Sequence, residues 1–543
     1  MSWIKITVFL LFLGNVLCLS SQDKNRFFVY FSSKSDTPFD VSQPSQFLSE
    51  KSIERRQKQG ISITDQDLPV DPVYVSSLRN RGIEVFHTSK WFNGAIIQVD
   101  SSQISIVTSF DFVDSVAFIA KGERLGGQQA DYEMPSSFAP SPGAVTSSIR
   151  QSEVLDVPRM HEQGYTGDGM TIAVLDGGFI GGDAFEPFAH VFINGHFLEG
   201  KDLVTGSNDP FQYSGHGTAV WSTIGALSDS LTGIAFDANF LLYVTEDVQT
   251  EYRIEEYNWL IAAEKADSAG ADIITSSVGY STFNDDSMDY SYELLDGQTA
   301  IITQAANLAF SKGLLVVTSA GNEGNNSWQF VTAPADSPNV LAVGSVDRQL
   351  NKSSFSSLGP TVDGRIKPDV MAIGTQTALM AGNGIIQPSN GTSYSAPQIA
   401  GLAAGVWQAN PDWTNRQVMN ALQLTASRAL APNNGYGYGI PTFRKAVEGG
   451  VLSINDLLKD EITVYPNPFR DNKIYIDLSD FQLKEGLMLQ LFDTRGSLVH
   501  QQEIDFPHKE KIVEVPMKVK KKGVYILRLY NQHFSKEVKL IKQ

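Results

Sequence analysis

The sequence predicts a doubly wound α/β domain on a parallel sheet, preceded by a small α+β module and followed by a small all-β sandwich. Three observations carry this. Apolar strand-like runs alternate with helical segments from Met170 to Val346. A mixed set of strands and helices fills residues 27 to about 119, and only short strands with turn signals follow Glu461. The 543 residues exceed one ordinary domain. With 42% hydrophobic and 19% charged residues the chain can bury a large core and is not disordered. A net charge of −18 argues against general nucleic-acid binding, which needs a basic face, and fits a soluble exported protein. The expected boundaries are 1–21, 22–120, 121–150, 151–450 and 461–543.

Residues 1–21 read as a secretory signal peptide: Lys5, an apolar run from Ile6 to Leu13, then small and polar residues. Cys18, the single cysteine, would leave with it, and the mature protein would hold no disulfide. A lipid anchor on Cys18 is the alternative, against which Asn15, Val16 and Leu17 fit poorly. In 22–120, FFVYF (Phe27 to Phe31) predicts a strand. PSQFLSEKSIERRQKQG predicts a helix ending at Gly60, and Pro72 to Arg81 a second. IEVFHTS and NGAIIQV read as a strand pair, SQISIVTSF as a helix and DSVAFIA as a last strand. From Lys121 to Ile149 the chain is rich in Gly, Pro, Ser and Gln, which reads as an exposed linker open to cleavage.

The central region gives strands at MTIAVLD, FLLYV, ADIITSSVG, GLLVVTSAGN and NVLAVGSV. Helices fall at EEYNWLIAAEKADSAG and DGQTAIITQAANLAFSKG. Functional groups then collect at the C-terminal edge of such a sheet. Asp176 ends the first strand in AVLDGGF. His216, in SGHGTAV, opens a helical TAVWSTIGAL, and Ser393, in NGTSYSAP, opens another through SAPQIAGLAAGVWQ. A hydroxyl needs a base to take its proton and a carboxylate to orient that base, so this set points to nucleophilic catalysis. A serine at a helix start also has unpaired backbone N–H groups that can hold an oxyanion. Singly, each residue is explained as well by a turn, a loop or an N-cap.

In the order Asp, His, Ser across about 220 residues, from Glu153 to Glu448, the chain resembles the subtilisin-like serine peptidases. The resemblance implies a secreted endopeptidase of broad specificity that works through an acyl-enzyme, with Asp176, His216 and Ser393 as catalytic triad. TSAGNEG (Thr318 to Gly324) matches the family's oxyanion segment, so Asn322 and the Ser393 amide are the expected donors. TSSVGY (Thr275 to Tyr280) matches the segment that pairs with substrate. Ser276, Ser277, Val278 and Gly279 and, opposite, Ser319, Ala320 and Gly321 are the expected substrate-binding residues. They are small and uncharged, which points to apolar or undemanding side chains before the cleaved bond. The module at 22–120 takes the place of a propeptide that assists folding and blocks the cleft, making the product a zymogen; an unrelated accessory domain is the alternative.

Two positions depart from the family pattern. Gly177 stands where Ser or Thr is usual, which would loosen the hydrogen bonding around the carboxylate. Ala219-Val220-Trp221-Ser222 follows the histidine where Val-Ala-Gly is common, placing an indole behind the site. No cofactor is required for the chemistry. Structural calcium, frequent in relatives, has a place at Asp285, Asp286 and Asp289, which read equally well as a polar loop. His190 and His196, with Asp183 and Asp202, match no zinc spacing and read as solvated loop.

Thr414 with Gln417 predicts a capped helix start near the end of the central region. Beyond it, ITVYPNPF, KIYIDLSD, MLQLFDTRGSLVHQQEI, IVEVPM and VYILRLYNQHFSKEVKLIK are short strands. On YPNPF, LFDTRG, GVYILRL and the Lys-rich end, residues 461–543 resemble the C-terminal sorting domain of type IX secretion cargo of Bacteroidetes. The partners implied are that machinery, peptide or protein substrates and the chain's own propeptide as inhibitor, with no nucleic acid. A generic β module binding carbohydrate or protein is the alternative for the tail. An inactive fold serving surface binding or adhesion is the alternative for the whole.

Overall fold

A computed structural model describes residues 24–124, 147–449, 463–469, 473–477, 487–493, 497–504, 512–516, 519, 521–530 and 535–542. The leader with Cys18 and most of the linker lie outside the described residues. The chain divides into two compact units, one through Phe443 and one from Arg444.

In the first unit, β1 (Lys24–Phe31), α1 (Glu50–Lys58), α2 (Pro72–Asn80), β2 (Glu84–Ser89), β3 (Gly94–Asp100), α3 (Ile104–Val107) and β4 (Val113–Ala120) form the N-terminal module. Its antiparallel sheet runs β2-β3-β1-β4, in which β2 and β3 are the predicted strand pair. The helix expected over residues 44–60 is shorter. Ser49 accepts a hydrogen bond from the Ser52 amide and starts α1 there, leaving only a 3-10 turn at Pro44–Gln46. The expected helix over 102–110 shrinks to α3 and one 3-10 turn.

The larger layer follows: α4 (Ile149–Val154), α5 (Val157–Glu162), β5 (Thr171–Asp176), α6 (Ala189–Ile193), β6 (Phe197–Asp202), α7 (His216–Gly225), β7 (Asn239–Val244), α8 (Ile254–Ala269), β8 (Ile273–Ser276), α9 (Ile301–Ser311), β9 (Leu315–Ser319), β10 (Val340–Val346), β11 (Val370–Ile373), the hairpin β12 (Thr377–Met380) and β13 (Ile386–Ser389), α10 (Thr392–Ala409) and α11 (Asn415–Leu424). Seven strands pair in the order β11-β10-β9-β8-β5-β7-β6, every pair parallel. The order reverses beside β5, so a crevice opens past the ends of β5 and β8. Edge strands β6 and β11 carried no sequence expectation. Phe197–Asp202 is largely solvated and lacks an apolar run, and Val370–Ile373 is only four residues long. The expected strand ADIITSSVG ends at Ser276, which leaves Ser277 to Gly279 in the crevice.

Residues 392 to 407 of α10 are buried on every side, as a helix apolar all round must be. At α11, Thr414 and Gln417 form the predicted capping box. The N-terminal module shares a core with the larger layer: Phe28 stacks on Tyr257 of α8 at 4.5 Å and Tyr30 Oη meets Tyr257 Oη at 2.8 Å.

In the second unit, β14 (Thr463–Tyr465), β15 (Lys473–Asp477), β16 (Leu487–Asp493), β17 (Leu498–Ile504), β18 (Ile512–Pro516), β19 (Gly523–Tyr530) and β20 (Ser535–Lys542) form two antiparallel sheets, β14-β15-β18 and β17-β16-β19-β20. Ile474, Ile476, Val513 and Val515 of one sheet and Leu489, Leu491, Leu527 and Leu529 of the other meet in one core. This is the predicted sandwich.

Candidate active site

Asp176 is the last residue of β5, 1% exposed, at the switch point of the sheet. His216 begins α7, its amide donating to Ser214 Oγ at 3.0 Å. The two elements touch closely because residue 217 is glycine: a Cβ there would lie 2.5 Å from Gly178 O and 3.0 Å from the Asp176 Cβ. His216 Nδ1 donates to Asp176 Oδ1 at 2.8 Å, and the same oxygen accepts from the Gly177 amide at 2.8 Å. Burial lowers the proton affinity of His216, but the Asp176 charge and hydrogen bond outweigh it and hold the imidazole pKa above its usual value.

Ser393 lies one residue into α10, 7% exposed. Pro397, four residues on, has no N–H to give to the Ser393 carbonyl. Ser277 Oγ takes that place, donating to Ser393 O at 2.8 Å, so the proline ties the start of α10 to the segment past β8. Ser393 Oγ in turn points to Ser277 O at 3.4 Å. Among the described residues no hydrogen bond joins it to His216; such contacts often tighten only with substrate bound. Asn322 Oδ1 accepts from Thr392 N and Thr392 Oγ1, both at 2.9 Å. That fixes the amide at its oxygen end, on the residue before Ser393, and its NH2 has no hydrogen-bond partner among the described residues.

Ser276 ends β8, and Ser277, Val278 and Gly279 continue to Tyr280, which bridges to Ala333. Ser319 ends β9, with Ala320 and Gly321 beyond it. Gly321 has φ +102, and a Cβ there would meet Ser357 Oγ at 2.8 Å, so glycine is required. The expected triad, oxyanion and substrate-binding residues are therefore carried by the C-terminal ends of β5, β8 and β9 and the segments past them, and by the starts of α7 and α10.

The departures resolve physically. Gly177 offers no hydroxyl, and Asp176 Oδ2 is buried with no hydrogen-bond partner among the described residues. Trp221 is fully buried, stacked on Phe188 at 4.0 Å, and Ser222 Oγ accepts from Met380 N at 3.0 Å, pinning β12 to α7.

Sequence reasoning missed Glu246. It follows β7 and accepts from Thr245 Oγ1 at 2.6 Å and Tyr280 Oη at 2.5 Å. Burial pushes its carboxyl up to about 7, against the pull of those two hydrogen bonds, and the Asp176 charge adds to the rise. Its position, just past the C-terminal end of a parallel strand, was the available signal.

His190 and His196 bond to Phe236 O and Asn239 Oδ1, while Asp202 accepts from Val204 and Thr205. Asp285 accepts from Ser287 and Asp289 from the Phe283 amide. Among the described residues, no three His, Cys, Asp or Glu side chains converge as metal ligands.

Residues 167–439 match the model of the subtilase family, 26–133 that of a peptidase S8 propeptide domain of Bacteroidota, and 463–543 that of a secretion system C-terminal sorting domain. Subtilisin from Bacillus pumilus is 33% identical over 297 residues, 54% of this chain and 96% of its own length. Subtilisin E from Bacillus subtilis is 33% identical over the same share of this chain and 70% of its own. Subtilisin Savinase from Lederbergia lenta is 30% identical over 53% and 93%.

Proposed function

We propose, from the premise that this chain belongs to the subtilase family and is a secreted or cell-surface serine endopeptidase made with a propeptide, that Asp176, His216 and Ser393 are its catalytic triad. The 2.8 Å contact of His216 Nδ1 with Asp176 Oδ1 carries the reading. His216 Nε2 takes the Ser393 proton as Oγ attacks the scissile carbonyl carbon. The resulting oxyanion is met by the Ser393 amide and the Asn322 side-chain NH2. Collapse breaks the C–N bond, and His216 returns the proton to the leaving amine. Water, deprotonated by His216, then releases the acyl group from Ser393. No cofactor enters these steps. Nothing in the family matches favours an inactive binding module.

A fluorophosphonate probe tests the assignment: it should label the mature chain at Ser393, and labelling at any other residue refutes it. Asn322→Ala should lower kcat by about 10²–10³ with little change in KM, since the lost donor serves the transition state. Because the imidazole must be neutral to act, activity should fall as pH drops through a midpoint above about 6.5, the value of a free histidine. In Asp176→Asn the midpoint of the residual activity should move down, read from kcat/KM against pH.

A further inference from the structure

A cleft of about 450 Å³ opens beside Asp176 and His216, and Gly177 forms part of its wall. Glu246, Asp247, Glu251 and Glu255 line it, and among the described residues no lysine or arginine does. Glu255, at the start of α8, is 1% exposed: Oε1 accepts from the Asp247 amide at 3.0 Å, and Oε2 is buried with no hydrogen-bond partner. Asp176 Oδ2 is equally unpartnered. Buried carboxylate oxygens of this kind are costly unless a donor or cation meets them. Burial, then the neighbouring carboxylates, raise the Glu255 pKa well above the usual range, as expected of anions gathered without a counter-charge.

Gly177 keeps this cleft open. A Cβ there would sit 3.1 Å from Val248 Cγ1 and 3.6 Å from the Glu246 Cβ, so a longer side chain would project into it. Glycine at 177 thus leaves room for another group in the cleft. In the zymogen one buried guanidinium outside the cleft lining interacts electrostatically with two of these carboxylates, its Nη2 donating to Lys121 O at 2.9 Å. Arg26 of β1, 3% exposed, is opposed in its burial cost by Asp247 and Glu255, yet makes no ion pair with either. Release of the propeptide would remove that cation and leave the acidic wall uncompensated.

Side chains of an extended peptide alternate in direction. If the residue supplying the scissile carbonyl enters the slot between Ser277–Gly279 and Ser319–Gly321, the residue before it points to the imidazole side, where this cleft lies. We infer that the cleft is a subsite for a lysine or arginine at the second residue before the scissile bond, so that the enzyme selects basic peptides there. This deepens the peptidase reading and rests on it. An undemanding slot then fixes the first residue loosely, and the acidic cleft fixes the second.

The test uses the full chain after maturation and fluorogenic peptides Ala-Ala-Xaa-Phe with Xaa lysine, alanine or glutamate. Lysine should exceed alanine in kcat/KM by about 10- to 100-fold, the scale of a charge-assisted contact, with glutamate lowest. Glu255→Gln should bring the lysine-to-alanine ratio towards one, and Glu251→Gln, at the exposed rim, should reduce it if the buried variant fails to fold. Hydrolysis of all three peptides at similar kcat/KM overturns the inference and leaves the peptidase standing. Hydrolysis of none overturns both.

Discussion

Ser393→Ala is expected to yield a folded chain that keeps its propeptide covalently attached and loses roughly six orders of magnitude in kcat. The acyl-enzyme cannot form without Oγ, and the imidazole and oxyanion donors alone retain only a small residual rate. Stability should barely change. Among the described residues this hydroxyl's one hydrogen bond runs 3.4 Å to Ser277 O, too long to contribute much. The contact that holds the segment, Ser277 Oγ to Ser393 O, involves the backbone and survives the substitution. Intact mass, a casein assay and a thermal melt on both proteins check this. A variant that trims its own propeptide at the wild-type rate would assign the chemistry to another residue.

Asp267→Ala, made in the Ser393→Ala chain so that self-digestion cannot confuse the result, should cost about 3–5 kcal/mol of folding stability, the scale of breaking a buried ion pair. Asp267 of α8 is fully buried and meets three cations of the N-terminal module: Arg55 at 2.5 Å, Arg56 at 2.8 Å and Lys90 at 3.1 Å. Arg56 and Lys312 also meet Asp67, at 3.0 and 3.1 Å. Burial alone would raise the Asp267 pKa, but Lys90, Arg55 and Arg56 outweigh it and hold the carboxyl below its usual range. The sign follows from linkage: the contribution is complete above about pH 4 and disappears as pH falls further. Among the described residues, removing the carboxylate leaves desolvated Arg55 and Lys90 with no ion-pair partner and Arg56 with Asp67 alone. Because those cations belong to the propeptide and the acid to α8, the same change weakens the hold between the two. The urea midpoint at pH 7 measures it, and an unchanged midpoint would contradict the network.

Much of this was legible in the sequence because it is local. Apolar runs such as TIAVLD and NVLAVGSV set the strands, a Thr414–Gln417 pair set a helix start, and small residues around Asp176, His216 and Ser393 marked the site. Residue identity and order were enough to name the candidate nucleophile, base and orienting acid. The failures were also local. Ser49 starts α1 through one side-chain hydrogen bond, and β6 is an edge strand whose residues carry no apolar pattern.

Residue types and their order determined the class of fold, the three-part organisation and the candidate triad, since periodicity and motif chemistry depend on near neighbours. Only the tertiary structure decided the strand order that puts the crevice beside β5, the Ser277 hydroxyl that replaces the missing proline N–H, and the gathering of Glu246, Glu251 and Glu255 next to Asp176. It also decided the burial of Asp267 among cations more than 170 positions away in the chain. The reason is physical: these features arise from packing between segments distant in sequence, and a charge or carbonyl acquires its energetic meaning only when folding removes water from around it.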